Sequence, residues 1–378
     1  MFEPACVRSS RRRVGSGVRR MRLAIALAAL AAAASARANT VTEQVIVSST
    51  QATAANPRST VFTNLLNSGF DVGEDWTISA GASLTLPGQT PAASQAQFGE
   101  SGSAVTLFTA GADWSVTDQL ALGATLDFSP QSTQFAGTPV PLRANRTDGT
   151  GEAQVRSQTS QLSGGLDVSW DSFGNSDLEW SFIGGIGFSH YDIDQGFARG
   201  KTDTGGALSA QQVQKGITDY CAFHPKRCST SLLAVVNGVP TPLDFGRFSA
   251  GATGTLYRDT DISVFGDWYQ YAQDPSKIGF FSLASLGRGP GLPIAPVRYQ
   301  LRPEVEHRIG SLSARLWLEA GEYVAQTGDS TVGIGARIQY RFTKAFRAWL
   351  TLSGQRDVDA DHQITRSGSV AGGIGLRW

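Results

Sequence analysis

The apolar residues of this chain recur at every second position over stretches of about ten to fourteen residues, from residue 75 to the last residue. Trp76, Ile78, Ala80, Ala82 and Leu84 alternate with Thr77, Ser79, Gly81, Ser83 and Thr85. Val332, Ile334, Ala336, Ile338, Tyr340 and Phe342 alternate with Gly333, Gly335, Arg337, Gln339 and Arg341. A strand turns successive side chains to opposite faces, so each stretch has one apolar and one polar face. Twelve such stretches fall near 75–86, 102–116, 120–129, 159–170, 178–191, 246–257, 261–271, 297–309, 312–324, 331–342, 346–356 and 366–378. Strands of soluble domains are typically ~5–6 residues long, whereas a strand that crosses a bilayer needs about 9–11. The longest unbroken apolar run, Leu23–Ala34, falls far short of the ~20 residues of a membrane helix.

The connections alternate too. Those at 117–119, 258–260, 310–311 and 343–345 are short, while 87–101, 130–158, 192–245 and 272–296 are long. Trp76, Trp114, Trp170, Trp180, Tyr340, Phe342 and Phe346 lie on apolar faces beside the short turns, and Phe128, Phe188, Phe248, Trp268 and Tyr299 lie near the long loops. Two aromatic girdles, with short turns on one side and long loops on the other, mark a membrane barrel. The expected fold is all-β, a transmembrane antiparallel up-and-down barrel of 12 strands spanning residues 75–378. A soluble β-sandwich would leave both the loop asymmetry and the girdles without cause.

The last strand ends Ile374-Gly-Leu376-Arg-Trp378. Alternating apolar residues and a terminal aromatic resemble the signal that bacterial outer-membrane β-barrel proteins present to the barrel-assembly machinery. The resemblance is to the porin-like class and implies a chain of the bacterial outer membrane, with membrane lipid and the assembly machinery as partners.

Residues 1–38 carry an Arg-rich start, the apolar run and Ala36-Arg37-Ala38, and read as a signal peptide whose true start is Met1 or Met21. The whole chain is neutral, but residues 1–38 hold eight Arg and one Glu, so 24 basic and 31 acidic residues remain, a net charge of −7. That sign argues against nucleic-acid binding. Cys221 and Cys228 remain in a polar stretch; in an oxidising compartment a disulfide is expected, with a zinc pair as the rival reading.

Residues 39–74 do not fit the alternating pattern. They read as an N-terminal extension on the periplasmic side: a tail, a docking segment for a periplasmic partner, or a short plug helix through Val61, Phe62, Leu65 and Leu66. Thr42-Glu-Gln-Val-Ile-Val resembles the energy-coupling box of TonB-dependent receptors, whose plug and larger barrel have no counterpart here.

The face opposite the apolar one should line the lumen. Toward the C-terminus it carries Arg298, Arg302, Glu304, Glu306, Arg308, Arg315, Glu319, Arg337, Arg341 and Arg347, and toward the N-terminus Asp113, Asp127 and Asp167. Such walls set up a transverse field, and inward arginines are a common device for anions. The other reading of these charges is a set of salt bridges that fill the lumen. No phosphate loop, dinucleotide fingerprint or metal-ligand set occurs, so no cofactor or metal is expected. The four histidines pair with no serine in a plausible arrangement, so a lipid hydrolase is not expected. The function expected is a channel for diffusion or uptake of small polar or anionic solutes, in a monomer or trimer. The alternatives are an exporter of a polypeptide or polysaccharide and a structural or adhesive barrel.

Overall fold

The computed structural model describes residues 39–51, 59–87, 104–144, 146–172, 178–228, 230–238, 241–256, 259–273, 297–323, 330–358 and 364–377. In chain order the elements are β1 (Asn39–Gln51), β2 (Ser59–Val72), β3 (Trp76–Pro87), β4 (Val105–Ser115), β5 (Leu120–Ala144), β6 (Thr147–Ser172), β7 (Leu178–Thr202), β8 (Ala207–Ser209), α1 (Ala210–Phe223), α2 (Thr230–Asn237), β9 (Thr241–Leu256), β10 (Thr260–Tyr271), β11 (Val297–Ile309), β12 (Leu312–Tyr323), β13 (Ser330–Arg341), β14 (Phe346–Val358) and β15 (Ile364–Arg377). Each strand pairs antiparallel with its neighbours, and β1 closes the ring against β15, from Thr40 opposite Arg377 to Gln51 opposite Arg366. Closure leaves no open edge, which the hydrocarbon core of a bilayer demands. The three-residue β8 hangs on the far end of β7 and takes no part in the ring.

The barrel therefore has 14 strands, not 12, because residues 39–72 form β1 and β2 rather than an extension or a plug helix. The register explains why their pattern is weak. Glu43, Asn64 and Ser68 are among the polar residues that fall on the outer face, and Ile46 and Leu65 fall on the inner face, so the alternation is broken on both sides. The energy-coupling likeness at Thr42 dissolves with it, since that stretch is wall. Residues 1–38, the expected signal peptide, lie outside the described residues.

The outer face is the apolar one. Leu166, Leu316 and Ile334 are 60–61% exposed, as are many neighbours to a lesser degree. A continuous apolar surface of this kind is stable only against lipid. At the short-turn end Trp76 stacks on Trp114 with ring centroids 5.6 Å apart, and Phe342 on Phe346 at 5.1 Å. At the other end Trp268 stacks on Tyr299 at 6.4 Å.

Three strands overshoot the membrane. β5, β6 and β7 run for 25, 26 and 25 residues, so much of 130–158 and the start of 192–245 is sheet rather than loop. Beyond the outer girdle the physical rule for the two faces reverses. Outward side chains now meet water, and inward ones meet α1 and α2, which bury Val140, Leu142 and Ala153 against Val213, Ile217 and Val236. Val155 of β6 packs on Val235 of α2. Val155 shares a face with Ser157, Thr159, Gln161 and Ser163, the lumen face of β6, so the helices lie over the lumen side of the extension. A capping box starts α1: Gln212 N donates to Ser209 Oγ at 3.3 Å, and Ser209 N donates to Gln212 Oε1 at 2.8 Å. Cys221, in the last turn of α1, is disulfide-bonded to Cys228.

Candidate functional site: a layered lumen

The inner face falls into three layers. The outermost is apolar. Tyr191 and Ile193 of β7, Leu243 and Phe245 of β9 and Val105 of β4 form one buried cluster, against which Tyr269 and Tyr271 of β10 pack. Tyr191 and Leu243 are fully buried. Tyr191 stacks on Phe245 with centroids 5.9 Å apart and planes at 16°. Phe245 meets Tyr271 at 5.1 Å, and the Tyr271 hydroxyl donates to the Val297 carbonyl at 3.2 Å. Val105 stands three strands away from β7, so the cluster arches over the inner surface rather than lining one strand.

This layer was not anticipated from the sequence, although a signal for it exists. In Phe188-Ser-His-Tyr191-Asp-Ile193-Asp the apolar parity switches sides: Phe188 faces lipid, Tyr191 and Ile193 face in, and Asp192 faces out. The switch marks the height at which the strand leaves the membrane.

The middle layer is a niche. A cavity of 190 Å³ is lined by Ile183, Ser249, Gly251, Phe265, Asp267 and Arg302, among others. The Arg302 guanidinium carbon lies 5.4 Å from the Phe265 ring centre. Arg247 approaches Asp267 at 3.9 Å beside it.

The innermost layer, toward the short turns, carries the charges. On the β11–β12 wall they are paired. Arg302 meets Glu304 at 3.5 Å, Arg315 meets Glu304 at 3.4 Å, and Arg315 Nε donates to Glu306 at 2.8 Å. Arg308 bonds Asp261 and lies 3.9 Å from Glu306. Glu319 accepts from Gln300. Arg298 sits by the bulge at the far end of β11, 3.2 Å from Glu322, away from the others. On β13 and β14 the pattern changes: among the described residues Arg337, Arg341 and Arg347 have no carboxylate partner.

Asp113, Asp127 and Asp167 occupy the inner face of β4, β5 and β6. Asp127 accepts from Thr109 Oγ1 at 2.7 Å. Asp113 and Asp167 flank Gly123, their shared register partner. β13 stands seven strands from β5 by either route around the ring, so these acids, without a basic partner among the described residues, and the arginines of β13 face each other across the lumen.

Two inward tryptophans lie among the arginines. Trp317 packs flat over Gly335 and Trp349 over Gly373, where any Cβ would overlap the indole. Sequence alternation alone did not single out either.

On the outer surface just beyond the girdle, His190 Nδ1 lies 2.6 Å from Asp244, and its Nε2 lies 3.3 Å from Asp192. The hydrogen bond to Asp244 raises the imidazole pKa above its ordinary value, and the same bond holds the Asp244 carboxyl below its own. The imidazole thus sits between two carboxylates. Of the expected assembly-signal residues, Ile374 and Leu376 face lipid and Trp378 lies outside the described residues.

No family model matches the chain, and no curated protein matches it in sequence. Solved structures do match. The CymD monoaromatic hydrocarbon channel is similar over 93% of this chain and 91% of its own, with 8% identity and a TM-score of 0.51. A deletion mutant of the TodX monoaromatic hydrocarbon channel is similar over 90% and 89%, with 10% identity and a TM-score of 0.50. The toluene transporter TodX of P. putida covers 91% of each chain at 10% identity, with a TM-score of 0.49. At such identities the likeness to the first two speaks for fold. Together with the closed ring, the lipid-facing band and the two girdles, it shows that the chain is a bacterial outer-membrane β-barrel.

Proposed function

We propose that the barrel is an uptake channel for small organic solutes with an apolar body. The observation that carries this reading is the apolar layer on the inner face at the long-loop end, where buried Tyr191, Ile193, Leu243 and Phe245 back the partly buried rings of Tyr269 and Tyr271, the surface a solute meets. A channel for purely polar solutes has no use for a dry aromatic surface there, because a hydrated solute loses water contacts on passing it. An apolar solute gains about 25 cal/mol for each Å² it removes from water against such a surface. Two of the structures with the same fold are monoaromatic hydrocarbon channels, which is in keeping with this choice. The expectation of uptake is kept, but the expected small polar or anionic solute gives way to one with an apolar body, since the charged layer comes second, behind an apolar one. The exporter reading loses its main support, since residues 39–72 are wall strands and not a docking segment.

The test is dye entry into intact cells. N-phenyl-1-naphthylamine is held out by a lipopolysaccharide outer membrane and fluoresces once inside. A Gram-negative host producing the barrel should take it up faster than the same host with an empty vector. Equal rates, with folded barrel in the membrane, would sink the proposal.

A further inference from the structure

The arginines of β13 and β14 are arranged against their own electrostatic interest. Arg341 and Arg347 are direct register partners, and so are Arg315 and Arg337. Like charges directly opposite on one face of a sheet repel. For Arg315 the repulsion is offset by Glu304 and Glu306. Arg337, Arg341 and Arg347 have no carboxylate within ion-pair distance among the described residues, and Glu306, committed to Arg315, acts on Arg337 only through space.

Two of the three are also held in place. The guanidinium carbon of Arg337 lies 4.9 Å from the centre of the Trp349 ring, and that of Arg347 lies 5.9 Å from it. Trp349 is itself buried, lying flat over Gly373. Arg337 donates from Nη2 to Gln339 Oε1 at 3.1 Å, while its buried Nε–H has no acceptor. A buried donor without an acceptor is costly, and retaining one points to a ligand atom that completes it. A guanidinium resting on an aromatic face keeps its planar fork free to grip a carboxylate with two parallel hydrogen bonds. The facing acids Asp113, Asp127 and Asp167 repel an anion toward this wall.

We infer that Arg337, Arg341 and Arg347, positioned by Trp349, form an oxyanion site at the short-turn end of the lumen for the carboxylate of a small organic acid. The inference rests on the uptake reading for the rest of the solute: the apolar layer admits its body, and the arginines receive its charged end. No covalent step is involved. The carboxylate binds, then leaves into the compartment at the short-turn side.

Isothermal titration of the folded full chain in detergent tests this, with sodium benzoate, benzyl alcohol and inorganic phosphate as probes. Benzoate should bind about tenfold more tightly than benzyl alcohol, the size of effect expected of a charge-assisted hydrogen bond. Arg347→Gln and Arg337→Gln should each weaken benzoate about tenfold and leave benzyl alcohol unchanged. Because Arg337→Gln disturbs the surroundings of Trp349, Arg341→Gln serves as a second variant, and heat-modifiable migration on a gel confirms that each variant is folded. Equal binding of benzoate and benzyl alcohol would overturn the site, as would undiminished benzoate binding in the folded Arg347→Gln and Arg341→Gln variants. Phosphate binding as tight as benzoate would overturn the organic-acid assignment. Dye entry without benzoate binding removes the site and leaves the uptake reading; benzoate binding without dye entry does the reverse.

Discussion

Tyr191 and Phe245 stack inside the barrel, on neighbouring strands, with ring centroids 5.9 Å apart and planes 16° from parallel. Neither ring faces lipid, although both strands face lipid with other aromatics a few residues away. The pair anchors the apolar layer at the long-loop end. Phe245→Ala should cost about 3 kcal/mol of stability, the usual range for deleting a buried aromatic. It should also raise single-channel conductance in planar bilayers, because the ring closes part of the lumen. Unchanged conductance in a folded variant would show that the layer restricts nothing.

The Cys221–Cys228 bond closes a short loop between α1 and the approach to α2. Replacing both cysteines with serine should cost the helical cap about 2–3 kcal/mol, the loop-entropy value for a closure of this length. The barrel wall lies elsewhere and should stay intact. Limited proteolysis of cells checks this: cleavage within 203–240 should accelerate, while the membrane-embedded part keeps its heat-modifiable migration. A double variant as resistant as the parent would show that packing of Val213 and Ile217 holds the cap alone.

His190 gives a pH dependence of known sign. Its folded pKa is raised by the Asp244 hydrogen bond, so its contribution is fully present below the ordinary histidine value of ~6.5 and is lost as pH rises through the raised value. Asp244 works the other way. Its pKa is lowered, so its share is present above the ordinary aspartate value of ~3.9 and is lost as pH falls through the lowered one. Asp244→Asn should move the His190 titration down, as read by the imidazole resonances in nuclear magnetic resonance spectra. A titration that does not move would place the cause elsewhere than in this bond.

Glu43 sits on the lipid face of β1 and accepts a hydrogen bond from Asn64 of β2 at 3.0 Å. A carboxylate facing hydrocarbon is destabilising, though less so than a basic residue. Glu43→Leu should raise the urea midpoint of the barrel, by about 1–2 kcal/mol in stability after loss of the Asn64 bond. A lower midpoint would mean that the Glu43–Asn64 pair is worth more than its desolvation costs.

Legibility in the sequence followed the environment of each strand. β12 and β13 were plain, because Leu316, Leu318, Ile334 and Ile338 meet lipid while Arg315, Glu319 and Arg337 meet the lumen. β1 and β2 were missed, because Glu43 and Asn64 interrupt the lipid face and Leu65 the inner one. The outer parts of β5, β6 and β7 read as loop because beyond the girdle the inner face becomes the buried one. Alternation placed Arg302, Arg315 and Arg337 on the face opposite the lipid-facing one, and the cross-strand register has them there too. Which of the arginines form ion pairs was not legible, since Glu304 and Glu306 pair with Arg315 and not with Arg337.

The sequence by itself determined that the chain forms a lipid-embedded antiparallel barrel and, within the twelve stretches it marked, which side chains oppose the lipid face, because a two-residue period is a local property of an extended backbone between lipid and water. Only the tertiary structure decided the strand number, the apolar layer and the unpaired arginines. Ring closure joins β1 to β15, α1 and α2 pack over the lumen side, and cross-strand register sets which charges meet. Each of these depends on contacts between residues far apart in the chain, which no local period records.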